Sequence, residues 1–215
     1  MNKIDSLIAP QTKDFVRLCR KYFEYLETLP DKNISDFWHV QLNMLPKIYT
    51  GLFQLPKLKG CYSSDVEKYV TEREYNKTLT NLATYIGTLD KFTDFADLSH
   101  PGSVKVIETN LSEILTDIYQ ELKDFVFLYE SGTIENMNDA IVECLDSFER
   151  YWGIRMLSAT RIIHVNLYQH RYSDAKKSLN LSENTDNYDE EDDDEDTDID
   201  ENLLNEIVEF DDGMD

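Results

Sequence analysis

Residues 110–132, NLSEILTDIYQELKDFVFLYESG, constrain this chain more than any other stretch. Leu111, Ile114, Leu115, Ile118, Leu122, Phe125, Val126 and Tyr129 recur at the three- and four-residue spacing of a buried helical stripe. Asn110 is placed to cap the start. Ser131-Gly132 supplies the stop, because glycine accepts the left-handed conformation that closes a helix. At about 100° per residue, Asp117, Glu121 and Asp124 line up along one edge of the stripe. A carboxylate row in that place is a solvated flank, a set of ion-pair partners for a neighbouring helix, or a row of metal ligands.

Helical periodicity continues on both sides. A first helix is predicted from Gln11 or Thr12 to Thr28, burying Phe15, Leu18, Cys19, Tyr22, Phe23 and Leu26. A second starts at the N-cap Ser35, carries Trp38, Leu42, Leu45, Tyr49 and Leu52 inward, and is kinked at Pro46. Residues 57–70 read as a loop, and Thr71 with Glu74 forms a capping box for a third helix ending at Gly87. Residues 88–105 are irregular, with a short helix over Lys91–Leu98. From Thr133 or Asn136 a further helix places Ile141, Cys144, Leu145, Phe148 and Trp152 on one face, and Gly153 bends it without stopping it. Beyond Ile154 the pattern turns apolar almost all round, which predicts a segment wrapped by other helices. On a continuous helix Arg155 shares the stripe of Phe148 and Trp152, and a buried arginine needs a carboxylate such as Asp117 or Glu121. No segment alternates convincingly as a strand. The expected fold is all-α, a bundle of about six helices over residues 1–180.

Charge divides the chain sharply. Of 43 acidic residues, 18 lie at or beyond Glu183, where there is no lysine or arginine. Residues 1–182 keep 25 acidic against 21 basic residues, a net charge of −4 out of the chain's −22. Residues 181–215 are therefore expected to form a disordered acidic tail. Within it Leu203, Leu204, Ile207, Val208 and Phe210 form a short amphipathic end. No basic cluster is longer than Lys176-Lys177, which argues against direct nucleic-acid binding. Cys19, Cys61 and Cys144 are scattered and odd in number, so neither a disulfide framework nor a cysteine-based zinc site is indicated. The N-terminus lacks the apolar run of a signal peptide, and no segment approaches the ~20 apolar residues of a membrane span. A cytoplasmic location is expected.

Several fragments carry a family resemblance. Val70-Thr71-Glu72 with Tyr75, Tyr85-Ile86-Gly87 with Asp90, and the run Asp117 to Phe125 (DIYQELKDF) are its core. Phe148 to Gly153 (FERYWG), Ile162-Ile163-His164, Leu45 to Tyr49 and Leu55-Pro56 complete it. Together they resemble an all-helical bacterial family catalogued only as a domain of unknown function, over roughly residues 10–172. The resemblance implies a helical cytoplasmic body and supplies no activity. The tail lies outside it.

The chemistry-bearing patterns are few. A metal site on Asp117, Glu121, Asp124 and His164 lacks the Glu-x-x-His motif of carboxylate-bridged bundles, so ion pairing is the preferred reading of the row. There is no nucleophile elbow, Gly-rich phosphate loop or dinucleotide fingerprint. Phe127 falls opposite the buried stripe of its helix, as a contact with another helix or an interface residue. The leading expectation is a non-enzymatic interaction or adaptor module that needs no cofactor. Its partner is an unidentified protein, and Phe127 with Leu203, Leu204, Ile207, Val208 and Phe210 are its candidate contacts. The alternative is a metal-dependent or small-molecule-binding helical enzyme using Asp117, Glu121 and Asp124.

Overall fold

The 110–132 stretch forms the helix around which the others pack. In the computed structural model, which describes residues 3–29, 33–61, 68–95 and 106–178, the chain runs in order through nine elements. These are α1 (Lys3–Leu7), α2 (Pro10–Glu27), α3 (Ile34–Leu52), α4 (Glu72–Ile86), β1 (Lys91–Phe95), β2 (Val106–Asn110), α5 (Leu111–Glu130), α6 (Ile134–Ser147) and α7 (Gly153–Ser178). α5 packs against α2, α4, α6 and α7, while α3 packs chiefly along α7. Leu111, Leu115, Ile118, Leu122 and Val126 of α5 are wholly buried, which is what a stripe facing several neighbours at once requires.

Helix boundaries follow local chemistry. Pro10 opens α2, where its missing N–H costs nothing, one or two residues earlier than the apolar pattern indicates. Asn33, rather than the expected Ser35, caps α3 by accepting the Ser35 N–H at 2.9 Å. α3 continues through Pro46 to Leu52. Thr71 and Glu74 make the expected reciprocal capping box of α4, and Thr133 caps α6. Gly132 ends α5 with φ +90°. The start of α5 departs from expectation: Asn110 makes no capping bond, and buried Asp90 replaces it. Asp90 Oδ1 accepts the Ser112 N–H at 2.6 Å, Oδ2 accepts the Ser112 hydroxyl at 2.8 Å, and the Asp90 carbonyl accepts the Leu111 N–H.

Three expectations need correction. β1 and β2 pair antiparallel from Lys91↔Asn110 to Phe95↔Val106, so the fold contains a small sheet, and Lys91–Phe95 is a strand rather than a helix. Because Lys91–Phe95 is strand, the described residues hold five long helical rods rather than about six, beside the short α1; α6 continues into α7, as expected at Gly153, through a π-helical turn, Phe148–Trp152. α7 is also not wrapped on all sides. Met156, Ala159, Ile163 and Leu167 are buried, but Ile154 is 61% and Leu157 45% exposed, because α3 and α5 cover one side of the rod only.

Candidate functional site

The carboxylate row on α5 is split among three sets of partners. Asp117 is nearly buried and has both oxygens engaged: Tyr75 of α4 donates its hydroxyl to Oδ1 at 2.6 Å, and Tyr151 of the π turn donates to Oδ2 at 2.8 Å. Arg155 places Nη2 2.8 Å from the same Oδ2 and 3.7 Å from Glu113, with its guanidinium over the Tyr151 ring. Neither its Nε nor its Nη2 makes a directed hydrogen bond, so the contact of Nη2 with Asp117 is ionic. Burial, then the bonded carboxylate of Asp117, raises the Tyr75 hydroxyl, and the same causes push Tyr151 up to about 12. Both phenols therefore stay protonated as donors.

Further along the helix the partners change. Glu121 faces Lys68 at 3.6 Å. Asp124 Oδ1 accepts the backbone N–H groups of Tyr69 and Val70 at 2.8 and 2.7 Å, pinning the segment that leads into α4. Its Oδ2 accepts no hydrogen bond and lies 3.9 Å from Lys68. Burial raises the Asp124 carboxyl above its ordinary value, against the two amides and Lys68. The cavity between Lys68, Glu121, Asp124 and Cys144 holds only about 20 Å³, too little for an organic ligand. His164 is exposed on α7, against the Tyr168 ring. Among the described residues no group of three or more His, Cys, Asp or Glu side chains is placed to hold a metal ion.

Phe127, on the opposite face of α5, meets neighbours from two segments. Its ring centroid lies 6.3 Å from Phe23 of α2 and 5.5 Å from Tyr69, and 41% of the residue remains exposed. Lys123 sits over the Phe23, Tyr119 and Phe127 rings and donates to Glu27 at 2.7 Å and to the Tyr119 hydroxyl at 2.9 Å. Burial alone would lower this ammonium, but the Glu27 and Tyr119 bonds outweigh it and the net shift is upward. Of the aromatics, Trp38, Tyr119 and Trp152 are core residues; Cys19 and Cys144 are buried thiols raised by burial, and Cys61 is exposed. Leu203, Leu204, Ile207, Val208 and Phe210 lie outside the described residues, with the whole acidic tail.

An apolar groove that periodicity does not reveal lies where α6 becomes the π turn. It spans about 310 Å³ between the end of α3 and α6, with Leu52, Leu55, Leu58, Val142, Leu145 and Phe148 in its lining. Lys57, Asp146 and Glu149 form its polar edge. At its mouth Phe53 is 72% exposed, its ring 5.6 Å from Tyr49 and 6.4 Å from Phe148. The π turn shapes this wall. A Cβ on Gly153 would stand 2.6 Å from the Phe148 carbonyl oxygen and 2.9 Å from the Phe148 ring, so only glycine lets Phe148 hold this place. The run FERYWG thus contains the residues of the bulge and the glycine it needs.

No curated protein matches this sequence. The solved crystal structure of protein BF1032 from Bacteroides fragilis superposes with a TM-score of 0.64 at 30% identity, covering 74% of this chain and 93% of that one. The pattern of the family described as Domain of unknown function (DUF5063) matches residues 7–169, and the chain belongs to that family.

Proposed function

We propose that the helical body is a non-enzymatic protein-interaction module, and that the groove beside the π turn is where it grips a partner protein. The single observation that carries this reading is the pairing of an apolar cleft of about 310 Å³ with a phenylalanine, Phe53, left 72% exposed at its mouth. Leaving an aromatic ring in water forgoes a hydrophobic gain of about 1.5–3 kcal/mol, so a surface keeping one beside an open apolar cleft is suited to covering both by contact. Such a cleft accommodates one or two large side chains of a partner, the anchor arrangement through which most interface energy is concentrated. The charged edge of Lys57, Asp146 and Glu149 would set the register of that contact.

The test is a photoreactive amino acid placed at Phe53 in the full chain expressed in its native cell. One dominant adduct, lost when Leu145→Asp is added without a change in melting temperature, is the expected result. Adducts no richer than those from a photoreactive group at exposed Lys13 would remove the groove from consideration.

A further inference from the structure

The groove beside the π turn carries both halves of a contact on one patch. Its hole is apolar, walled by Leu52, Leu55, Val142 and Leu145, and about 310 Å³ suits one or two large side chains. Its knob is Phe53. This residue is the C-cap of α3, and its ring leans on Tyr49 and Phe148 at the mouth, 72% exposed, instead of filling the hole. A two-fold axis turns such a patch into an interface, because every contact of residue i with j is matched by one of j with i. A single rotation then sets the Phe53 ring of each copy in the hole of the other.

The charges on the rim agree with that symmetry. Asp146 is ion-paired with Arg150 of its own chain. The remaining rim charges, Lys57 and Glu149, are opposite in sign, so the same rotation can set Lys57 of each copy against Glu149 of the other. The open groove between α2 and α3 lacks this property. The charged residues of its lining, Lys21 and Lys47, are both positive, and two copies would meet there with like charges. Building on the role of the π-turn groove as a docking surface, we infer that its partner is a second copy of this chain. The two copies are held by reciprocal insertion of Phe53 and by two Lys57–Glu149 pairs. Two rings of ~150–250 Å² each supply only part of the ~1,600 Å² of a standard interface, which puts this dimer in the weak, concentration-dependent class.

The test is sedimentation of the full chain from about 1 to about 300 µM, the range in which a weak specific dimer becomes populated. The wild-type chain should pass from monomer to dimer and stop there. Phe53→Ser should weaken association about tenfold or more at an unchanged melting temperature, because the ring it removes is exposed in the monomer. Lys57→Glu and Glu149→Lys, each alone, should weaken it about fivefold. Mixing these two variants should restore association to within about threefold of wild type, since both cross-copy pairs again join opposite charges. Both variants keep the strong net negative charge of the chain, so no general attraction between them explains such a recovery. A chain that stays monomeric throughout, a Phe53→Ser variant that associates like wild type, or no recovery on mixing would each overturn the dimer. Photo-cross-linking from position 53 separates this failure from failure of the docking surface. An adduct of twice the chain mass supports both, whereas a monomeric chain giving one dominant adduct with a different protein loses the dimer and keeps the surface.

Discussion

Asp124 shows how one side chain can be useful as an acceptor and costly as a charge. Its Oδ1 holds two backbone N–H groups, one of them in buried Val70, while burial disfavours its ionised form. Asp124→Asn keeps an oxygen for those amides and removes the desolvated charge, so it should cost less than about 1 kcal/mol. Asp124→Ala leaves the amides without an acceptor and should cost about 1–3 kcal/mol, both read from urea denaturation at neutral pH. The sign of the pH dependence follows from the raised carboxyl. Between its ordinary and raised values the folded chain holds more protons than the unfolded one, so this residue makes stability fall as pH rises through that window. Asp124→Asn should remove that component; an identical pH slope in wild type and variant would refute the assignment. Asp117 differs, since two tyrosine hydroxyls and Arg155 compensate its charge directly.

At the scale of an element, the π turn between α6 and α7 decides where Phe148, Tyr151 and Trp152 point. It sets Phe148 in the wall of the apolar groove, Tyr151 on Asp117, and Trp152 in the core. Replacing a helical glycine by alanine ordinarily stabilises a helix by up to about 1 kcal/mol. At Gly153 the added methyl meets a backbone oxygen at 2.6 Å, which cannot swing aside as a side-chain tip can. Gly153→Ala should therefore destabilise by about 1–3 kcal/mol, as overpacking does. A gain in stability would mean that the turn relaxes to regular α-helix at no cost. The β1–β2 hairpin is a second element whose place is set from outside: Asp90, just before it, caps α5, and Asp94 within it is 3.2 Å from Arg161 of α7.

For the molecule as a whole, α5 and the α6–α7 rod share the burden of the core. Trp152 is wholly buried, with its ring edge-on to Phe148 at 4.8 Å. Trp152→Ala should lower stability by about 3–5 kcal/mol in urea denaturation, the range for emptying an aromatic core site. A midpoint within error of wild type would contradict the central position assigned to the residue. No helix among the described residues is long and apolar enough to cross a membrane. Among the described residues Phe53, at the edge of a groove, is the most exposed large apolar side chain; exposed pairs also meet at Tyr69 with Phe127 and at Phe95 opposite Val106, and Ile154 and Leu157 stand on α7.

What the sequence determined by itself is the set of features with short-range causes. The α5 stripe, the Thr71–Glu74 box and the stop at Gly132 each arise from residues within a few positions of one another, so periodicity and capping chemistry reveal them. Which carboxylate Arg155 meets depends on how the helices pack: its Nη2 lies 2.8 Å from Asp117, while Glu121, one turn along the same row, faces Lys68. The tertiary structure alone decided the rest. Strands of five residues carry too little alternation to announce themselves, and their pairing spans residues 96–105. The capping of α5 by Asp90 acts across 22 positions, where local pattern has no reach. The one-sided burial of α7 and the groove beside the π turn depend on which faces of neighbouring helices come together, and a hydrophobic side chain has the same sequence signature whether another helix covers it or not.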